Sequence, residues 1–162
     1  MYTETLIGSG RTGHVYRIDG NPESKARKEF SITFPPIRLW NWFFYNSAHP
    51  LSTEVGQTYA YWKRRLAHRL CEYVDGNVTV VDATEPSQNG FISPFIEGHM
   101  SAKNERSAVY AEARKLEEVF DDIGMPTWSF SRRNPWSASN FILNDAGVHI
   151  VDYEQSVPLP DT

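Results

Sequence analysis

The sequence predicts an α+β protein whose N-terminal part forms an antiparallel sheet. Residues 4–30 contain short β-rich segments separated by glycine and asparagine turns, a pattern typical of paired strands. Two longer segments, 52–73 and 105–123, repeat apolar residues every three or four positions, as amphipathic helices do. Further β-rich segments follow each helix, so the predicted order is β-β-β-α-β-β-α-loop-β-β.

The first three predicted strands cover residues 4–7, 14–18 and 25–30. The glycine-rich segment 8–13 separates the first two strands, and a turn at 19–22 precedes the third. Strands that follow one another through such short turns are expected to pair as antiparallel hairpins.

The segment 52–73 is the first predicted helix. Ser52 or Thr53 offers a capping hydroxyl, and Glu54 suits the positive end of the helix dipole. The apolar row predicted to face the core consists of Val55, Tyr59, Trp62, Leu66, Leu70 and Tyr73. The basic stretch 63–65, continued by His68 and Arg69, lies off this row. A solvated face is its expected role, and a patch for phosphate or an acidic partner is the alternative.

The second half of the chain is predicted to contain four strands and one helix. The strands cover 78–83, 91–96, 141–143 and 148–153, and a loop over 126–139 precedes the last two. The helix 105–123 has Asn104 as a cap candidate and Gly124 beyond its end. Its apolar row, predicted to be buried, consists of Val109, Ala113, Leu116, Phe120 and Ile123.

Composition and charge exclude several classes of protein. The 16 Lys and Arg residues stand against 20 Asp and Glu, a net charge of −4, so no nucleic-acid partner is expected. A single cysteine, Cys71, forms no internal disulfide, which fits a reducing, cytoplasmic location. The sequence has no apolar run of about 18 residues, so no transmembrane segment is expected. Its N-terminus lacks the features of a signal peptide.

Aromatic residues concentrate between the third strand and the first helix. Of the 22 aromatic residues, seven lie within 30–45. The segment 34–45 has no clean period, and a loop or short helix is expected there. This aromatic insert either packs as replacement core or forms an exposed apolar surface that docks a protein substrate or partner.

The glycine-rich segment is a candidate phosphate-binding loop. Its pattern is Gly8-Ser9-Gly10, then Gly13 and Val15, and glycines let backbone N–H groups approach phosphate oxygens closely. The dinucleotide-binding version of this motif requires a helix after the glycines. A strand is predicted here instead, which favours a hairpin that covers phosphates.

A hairpin of this kind predicts a phosphate-binding lysine on the next strand, and Lys28 is in that position. Its ammonium needs a carboxylate to fix its direction, and Glu54 near the start of the first helix is the natural candidate. The alternative stays open that Lys28 is solvated and that Glu54 serves only the helix start.

Together these motifs resemble the protein-kinase-like superfamily, which includes protein kinases and the aminoglycoside and choline phosphotransferases. The segment FISPFIEG resembles the hinge-forming strand, and NFIL followed by HIVDYE resembles the Asn and Asp pair that holds Mg²⁺. The resemblance implies a bilobal fold, with an N-lobe over 1–97 and a reduced helical C-lobe over 98–162. It also implies ATP and Mg as cofactors, with Asn140 and Asp152 as the metal ligands.

The sequence departs from the superfamily at the catalytic loop. An aspartate normally stands five residues before the metal-binding asparagine, but Pro135 occupies that position. Arg133 and Asn134 resemble the family's arginine and aspartate but are offset by one residue, and an amide cannot accept a proton as a carboxylate does. Asp152 is a carboxylate that remains near this loop in the sequence.

Two functions follow from this combination. The first is an ATP- and Mg-dependent phosphotransferase acting on a protein or a small hydroxyl compound, with Asn134, Arg133 and Asp152 in the catalytic region. The second is a pseudokinase, a nucleotide-binding or protein-interaction module that keeps the fold. The chain ends eight residues after Glu154, so the resemblance also implies that the acceptor-binding helices are missing.

Overall fold

A computed structural model describes residues 3–10, 12–20, 23–31 and 50–153. Within these residues the chain forms nine strands and two α-helices. The strands are β1 Thr3–Gly10, β2 Gly13–Asp19, β3 Lys25–Phe30, β4 Val78–Val80, β5 Glu85–Ser87, β6 Gly90–Pro94, β7 His99–Met100, β8 Phe141–Asn144 and β9 Gly147–Ile150. The helices are α1 Glu54–Cys71 and α2 Arg106–Asp122, and 3₁₀ turns cover Pro50–Ser52 and Ser137–Asn140. The predicted α+β class with an antiparallel sheet is confirmed.

The chain divides into two compact units. The first consists of the described residues within Met1–Arg65 together with Asp82–Phe95. It contains a five-stranded antiparallel sheet in the order β1-β2-β3-β6-β5. The second unit draws on Leu66–Val81 and the chain from Ile96 onward, and its four-stranded sheet has the order β4-β9-β8-β7. In this second sheet β4 runs parallel to β9, and the other pairs are antiparallel.

The first unit buries a small core between its sheet and the start of α1. The buried apolar residues of this core are Phe30, Leu51, Ala60, Tyr61, Ala83 and Phe91. Phe30 and Phe91 meet edge to face, with ring centroids 5.8 Å apart. Thr53 caps α1, because its Oγ1 accepts a hydrogen bond from the N–H of Gly56 at 3.1 Å.

The second unit has the larger core, and α2 supplies much of it. Val109, Ala113, Leu116 and Phe120 are buried as predicted, whereas Ile123 is exposed. They pack with buried aromatic residues of the loops and strands, namely Phe130, Phe141 and Tyr153.

The ends of α2 differ in how well the sequence predicted them. The helix ends at Asp122, and the φ of +72° at Gly124 lets the N–H groups of Gly124 and Met125 bond carbonyls of the last turn. At its start, Glu105 rather than Asn104 is the N-cap residue, and no side chain caps the helix.

The prediction for the buried face of α1 is wrong except for Leu70, which is half-buried and packs against the core of the second unit. Val55, Tyr59, Trp62, Leu66 and Tyr73 are exposed, the last of them beyond the end of the helix. The buried residues lie on another side of the helix and are Ala60, Tyr61, Lys63, Arg64, Ala67 and Cys71. The expectation of a solvated basic stretch is therefore wrong for two of its three members. Small residues on this face let the helix approach its neighbours closely, and the long stems of the cations fill the remaining space.

Two sequence predictions concern parts of the chain outside these elements. The aromatic insert 34–45 lies outside the described residues. Among the residues that are described, neither helix has an apolar stretch long enough to cross a membrane.

Candidate functional site

The glycine-rich segment forms a tight β-hairpin at the edge of the first unit's sheet. Gly10 is the Cα partner of Gly13, so β1 turns directly into β2. A strand therefore follows the glycines, and the strand-loop-helix arrangement of the dinucleotide motif is not present at this segment. Ser9 and Gly10 are exposed, and Ser9 Oγ lies 3.1 Å from His14 Nδ1.

The glycines of this hairpin have different structural roles. A side chain at Gly13 would overlap the backbone carbonyl of Glu29 on the neighbouring strand, so pairing of β2 with β3 requires a glycine there. A Cβ at Gly10 would meet no atom within 4 Å, and one at Gly8 would make an ordinary contact with Val15. Packing within the described residues therefore does not require glycine at positions 8 and 10. Close approach of a ligand to the backbone is one use for a glycine there.

Lys28 lies in the middle of the sheet and is buried, with 8% of its surface exposed. Its Cα partners are Val15 on β2 and Phe91 on β6. Its Nζ lies 5.8 Å from the centroid of the Phe30 ring. An ammonium group in this position is held by the sheet rather than displayed on a solvated surface, and it makes at least one further interaction.

Glu54 is not brought to Lys28. It is the first residue of α1, it is exposed, and none of its contacts with other described residues is an ion pair to Lys28. It lines an open cleft of ≈ 540 Å³ beside the β5–β6 turn, together with Gln57 and Trp62. Orientation of Lys28 by Glu54 therefore remains a prediction without a contact to support it.

The helix face that packs on the sheet carries a cation. Arg64 is 2% exposed, and its Cζ lies 5.0 Å from the centroid of Phe91, the cross-strand partner of Lys28. The sequence pattern placed this arginine on the solvated side, because hydrophobic periodicity gives a basic residue no weight as a packing group.

In the second unit, the loop that resembles a catalytic loop is a buried polar network. Its buried members recur every two or three positions and are Ser129, Ser131, Asn134, Ser137 and Asn140. Ser137 Oγ lies 2.9 Å from the carbonyl oxygen of Ser131 and 2.8 Å from that of Asn134. Tyr110 of α2 reaches the same hydroxyl at 2.7 Å, which ties the loop to the helix. A network satisfied in this way holds a loop rigidly.

Asn134 is a loop-forming residue. Its Nδ2 donates to the carbonyl of Trp128 at 3.0 Å, and its Oδ1 accepts from the N–H of Trp136 at 3.0 Å. Both ends of its amide are thus occupied by the backbone of its own loop. Arg133 is exposed beside it, and its N–H donates to Ser131 Oγ at 3.3 Å.

The segments that carry Asn140 and Asp152 meet at the end of the β8–β9 pair. Phe141 pairs with Ile150, and the N–H of Val151 donates to the carbonyl of Asn140 at 2.9 Å. Asp152 is half-buried and has an interaction partner of its own. The next residue, Tyr153, is fully buried and donates its hydroxyl to the carbonyl of Pro126 at 2.9 Å.

The donor chemistry of this pair fits a hard cation. Nδ2 of Asn140 donates to the carbonyl of Ser129 at 2.7 Å, which fixes the amide so that Oδ1 is the free end apart from a 3.5 Å contact with Ser139 Oγ. An amide oxygen and a carboxylate are ligands that Mg²⁺ accepts together with phosphate oxygens and water. No cluster of three or more His, Cys, Asp or Glu suited to a metal occurs within the described ranges, so these residues do not form an all-protein cage.

Comparison with known proteins adds no family assignment. No model of a known protein family matches the chain, and a search of curated proteins finds no match either.

Two groups of residues escaped the sequence interpretation. The buried serines of the loop and their partner Tyr110 are invisible to hydrophobic patterning, although a dense series of small polar residues in 129–140 is a usable signal. Arg64 is the other, and its signal was the spacing of Ala60, Arg64 and Ala67 along one side of the helix.

Proposed function

We propose that this protein is an ATP- and Mg-dependent phosphotransferase of minimal kinase-like type, acting on a protein or a small hydroxyl compound. The observation that carries the proposal is the relation between the glycine hairpin and Lys28. The hairpin leads through β2 directly to β3, where Lys28 is buried opposite Val15. A glycine turn followed by a buried ammonium is an arrangement suited to phosphate groups.

Each compact unit contributes its own chemistry to the proposed activity. In the first unit, the backbone of the half-buried Gly8 and the exposed Gly10 binds phosphate oxygens together with the ammonium of Lys28. In the second unit, Asn140 and Asp152 hold Mg²⁺ through an amide oxygen and a carboxylate. Under this proposal the two units correspond to the two lobes of the superfamily. The acceptor's docking surface is proposed to be the aromatic insert.

A second candidate, the pseudokinase, is favoured by Asn134. Its amide is used at both ends by loop backbone, and an amide takes up no proton from an acceptor hydroxyl. Phosphate transfer depends largely on position and charge neutralisation, so weak catalysis remains possible without this base. A nucleotide-binding module without turnover would use the same phosphate and metal ligands.

Thermal unfolding with ATP, with and without Mg²⁺, tests nucleotide binding. ATP at 100 times its Kd stabilises a native state by about 2.7 kcal/mol, so a clear shift is expected. Lys28→Met should lose most of this shift. The matched control is Lys25→Met on the same strand, because Lys25 is exposed and pairs with Glu85. A wild-type protein that ATP does not stabilise would contradict the phosphotransferase and the nucleotide-binding form of the pseudokinase, and would leave only a protein-interaction module.

Transfer of radiolabelled phosphate then separates the enzyme from the pseudokinase. Incorporation into the protein itself or into an added acceptor, lost in Asp152→Ala, supports the phosphotransferase. Nucleotide binding with no incorporation and no nucleotide hydrolysis supports the pseudokinase.

A further inference from the structure

An open cleft in the first unit takes no part in the proposed phosphate chemistry. It lies between the start of α1 and the turn that joins β5 to β6, and its volume is ≈ 540 Å³. That volume is within the range of clefts that hold small molecules. Its lining residues all belong to the first unit, and neither the glycine hairpin nor Lys28 is among them. The cleft is therefore a second candidate binding site.

Both walls of the cleft are held by hydrogen bonds. On the helix side, Gln57 Nε2 donates to the carbonyl of Leu51 at 3.0 Å. On the turn side, the carbonyl of Asn89 accepts the N–H of Phe30 at 2.7 Å, and Asn89 has a φ of 59°, which asparagine tolerates in tight turns. The cleft is thus formed before a ligand arrives, which lowers the entropy cost of binding.

An aromatic ring forms part of the cleft surface. Trp62 lines the cleft and is 58% exposed. The ring of Tyr61 meets it edge to face, with centroids 5.1 Å apart, and supports it from the side. An exposed indole of this kind offers a flat apolar area on which the C–H groups of a ligand can be removed from water.

Polar side chains line the cleft around this ring. They are one carboxylate, one hydroxyl and three amides, namely Glu54, Thr58, Gln57, Gln88 and Asn89. Because Nε2 of Gln57 is bonded to the backbone, its Oε1 is the end that can accept from a ligand. Ser87 also lines the cleft, and its Oγ is buried without a hydrogen-bond partner among the described residues. Such unpaired hydroxyls are rare, and rotation about the Cα–Cβ bond would let a ligand in the cleft supply the partner.

The lining disfavours several classes of ligand. Glu54 is the one charged group among the described residues of the cleft, so an anion meets no cation there. Arg65 Cζ already lies 5.7 Å from the centroid of Trp62, which leaves less of the ring to a cationic ligand. Pro86 removes an N–H from the middle of the edge strand β5, so an extended peptide cannot pair with that edge continuously. A neutral ligand bound by side chains fits these observations.

We propose that this cleft binds a neutral sugar, with one face of a pyranose ring stacked on Trp62 and its hydroxyls paired with the surrounding amides and carboxylate. A pyranose presents a face of C–H groups and a rim of hydroxyls, each of which both donates and accepts. It therefore requires an apolar platform and polar side chains together, as this cleft provides them. The inference goes beyond the phosphotransferase proposal and does not depend on nucleotide binding. Free oligosaccharides and protein-linked glycans share the chemistry.

Saturation-transfer NMR with a panel of neutral trisaccharides, built from glucose, mannose or N-acetylglucosamine, tests the assignment. At about 10 mM sugar, at least one member should receive saturation, most strongly at its ring C–H protons. Trp62→Ala should weaken this binding roughly tenfold or more, because the platform is lost. The matched control is Trp136→Ala, since Trp136 is an exposed tryptophan of the second unit and does not line the cleft.

Replacement of Ser87 separates binding from stability. Ser87→Ala should leave the urea unfolding midpoint unchanged or raise it, because the hydroxyl that it removes has no partner in the described part of the chain. It should nevertheless weaken sugar binding several-fold. A lower midpoint with unchanged sugar affinity would remove Ser87 from the site.

The other outcomes decide the site and the ligand class. Absence of saturation transfer to every trisaccharide overturns the sugar site and leaves the phosphotransferase proposal standing, and so does sugar binding that Trp62→Ala does not weaken. A Trp62-dependent signal from an oligolysine peptide, with none from the sugars, overturns the ligand class.

Two further arms identify the source of the sugar and check the fold. Tighter binding to a glycoprotein than to the same protein after glycan removal supports a protein-linked glycan, whereas binding to the trisaccharides alone supports a free sugar. Circular dichroism checks the fold of each variant. Should Trp62→Ala be unfolded, Gln88→Ala at the exposed turn decides between weakened and unchanged sugar binding.

Discussion

The carbonyl oxygen of Asn140 accepts a hydrogen bond of 2.9 Å from the N–H of Val151. This bond continues the β8–β9 ladder by one step beyond the Phe141–Ile150 pair, so Asp152 leaves the sheet beside Asn140. A local hairpin, closed by the turn before Gly147, thus brings together the two chain segments that carry Asn140 and Asp152.

Substitution of Asn140 should affect both stability and metal dependence. Asn140→Ala removes the bond from Nδ2 to the carbonyl of Ser129, at a cost of about 0.5–1.5 kcal/mol in unfolding free energy. The Mg²⁺-dependent part of ATP stabilisation should disappear with it. Urea unfolding and thermal shifts measure the two effects, with exposed Asn104→Ala as the control. A variant that keeps its full Mg²⁺-dependent shift would remove Asn140 from the metal site.

Alanine substitutions in the glycine hairpin should have opposite consequences for folding and for binding. Gly13→Ala drives a methyl group into the carbonyl of Glu29 and should destabilise the first unit by about 2–4 kcal/mol. Gly10→Ala has open space and should change stability by no more than about 0.5 kcal/mol while it weakens ATP binding. Unfolding curves and ATP titration of the two variants provide the comparison. Unchanged ATP affinity in Gly10→Ala would argue against a phosphate cradle at this turn.

Local signals predicted much of this fold. The strands of the first hairpins and the row from Val109 to Phe120 on α2 depend on turn residues and periodicity within a few positions, and the structure confirms them. β4 pairs in parallel with β9, so residues far apart in the sequence, such as Val78 and Val148, become partners. No local sequence pattern encodes this pairing. For that reason the sequence did not predict that the strands form two sheets, one of five strands and one of four.

The candidate site divides in the same way. The hairpin, Lys28 and the Asn140–Asp152 pair were predicted from motifs, and the ligands they bind remain predictions. The buried face of α1 was predicted wrongly because tertiary contacts, not side-chain hydrophobicity alone, decide which side of a helix is covered. Arg64 packs on Phe91 while Trp62 remains exposed. Hydropathy would instead predict a buried tryptophan and an exposed arginine.

Two leucines provide a direct test of that reversed helix face. Leu66 belongs to the row predicted to be buried but is 54% exposed, whereas Leu116 of α2 is fully buried. Leu66→Ala should therefore change unfolding free energy by no more than about 0.5 kcal/mol, and Leu116→Ala should cost about 2–5 kcal/mol. Urea unfolding followed by circular dichroism measures both. Similar losses in the two variants would show that α1 buries its apolar row in solution.

Asn134 is expected to have a structural role, which can be tested by replacing it with aspartate, the residue typical of the catalytic loop in the superfamily that the sequence resembles. Asn134→Asp loses the donor to the carbonyl of Trp128 and should destabilise the loop by about 1–3 kcal/mol. It should not increase phosphate transfer, because the Oδ1 position still accepts the N–H of Trp136. Urea unfolding and the radiolabel assay are the measurements, with Arg133→Ala as an exposed neighbour for comparison. A gain of transfer activity in Asn134→Asp would instead identify this position as the site of a lost base.

Cys71 should make the stability of the protein depend on alkaline pH. Burial raises the pKa of its thiol, whose Sγ donates to the carbonyl of Ala67 at 3.2 Å and accepts the N–H of Val80 at 3.3 Å. The native state therefore keeps this proton above about pH 8.5, where the unfolded chain begins to release it. The contribution of the thiol is complete below that pH, and it falls as the pH rises toward the raised native pKa.

This decline should be measurable by urea unfolding at about pH 7 and about pH 9.5. Cys71→Ala cannot release a proton in the unfolded state, so it should lose less stability between these two pH values than the wild type does. Native Cys71 should also react with a disulfide reagent about a hundredfold more slowly than the unfolded chain, since the reagent requires an exposed thiolate. Equal reaction rates, or the same pH dependence in wild type and Cys71→Ala, would contradict a buried, protonated thiol.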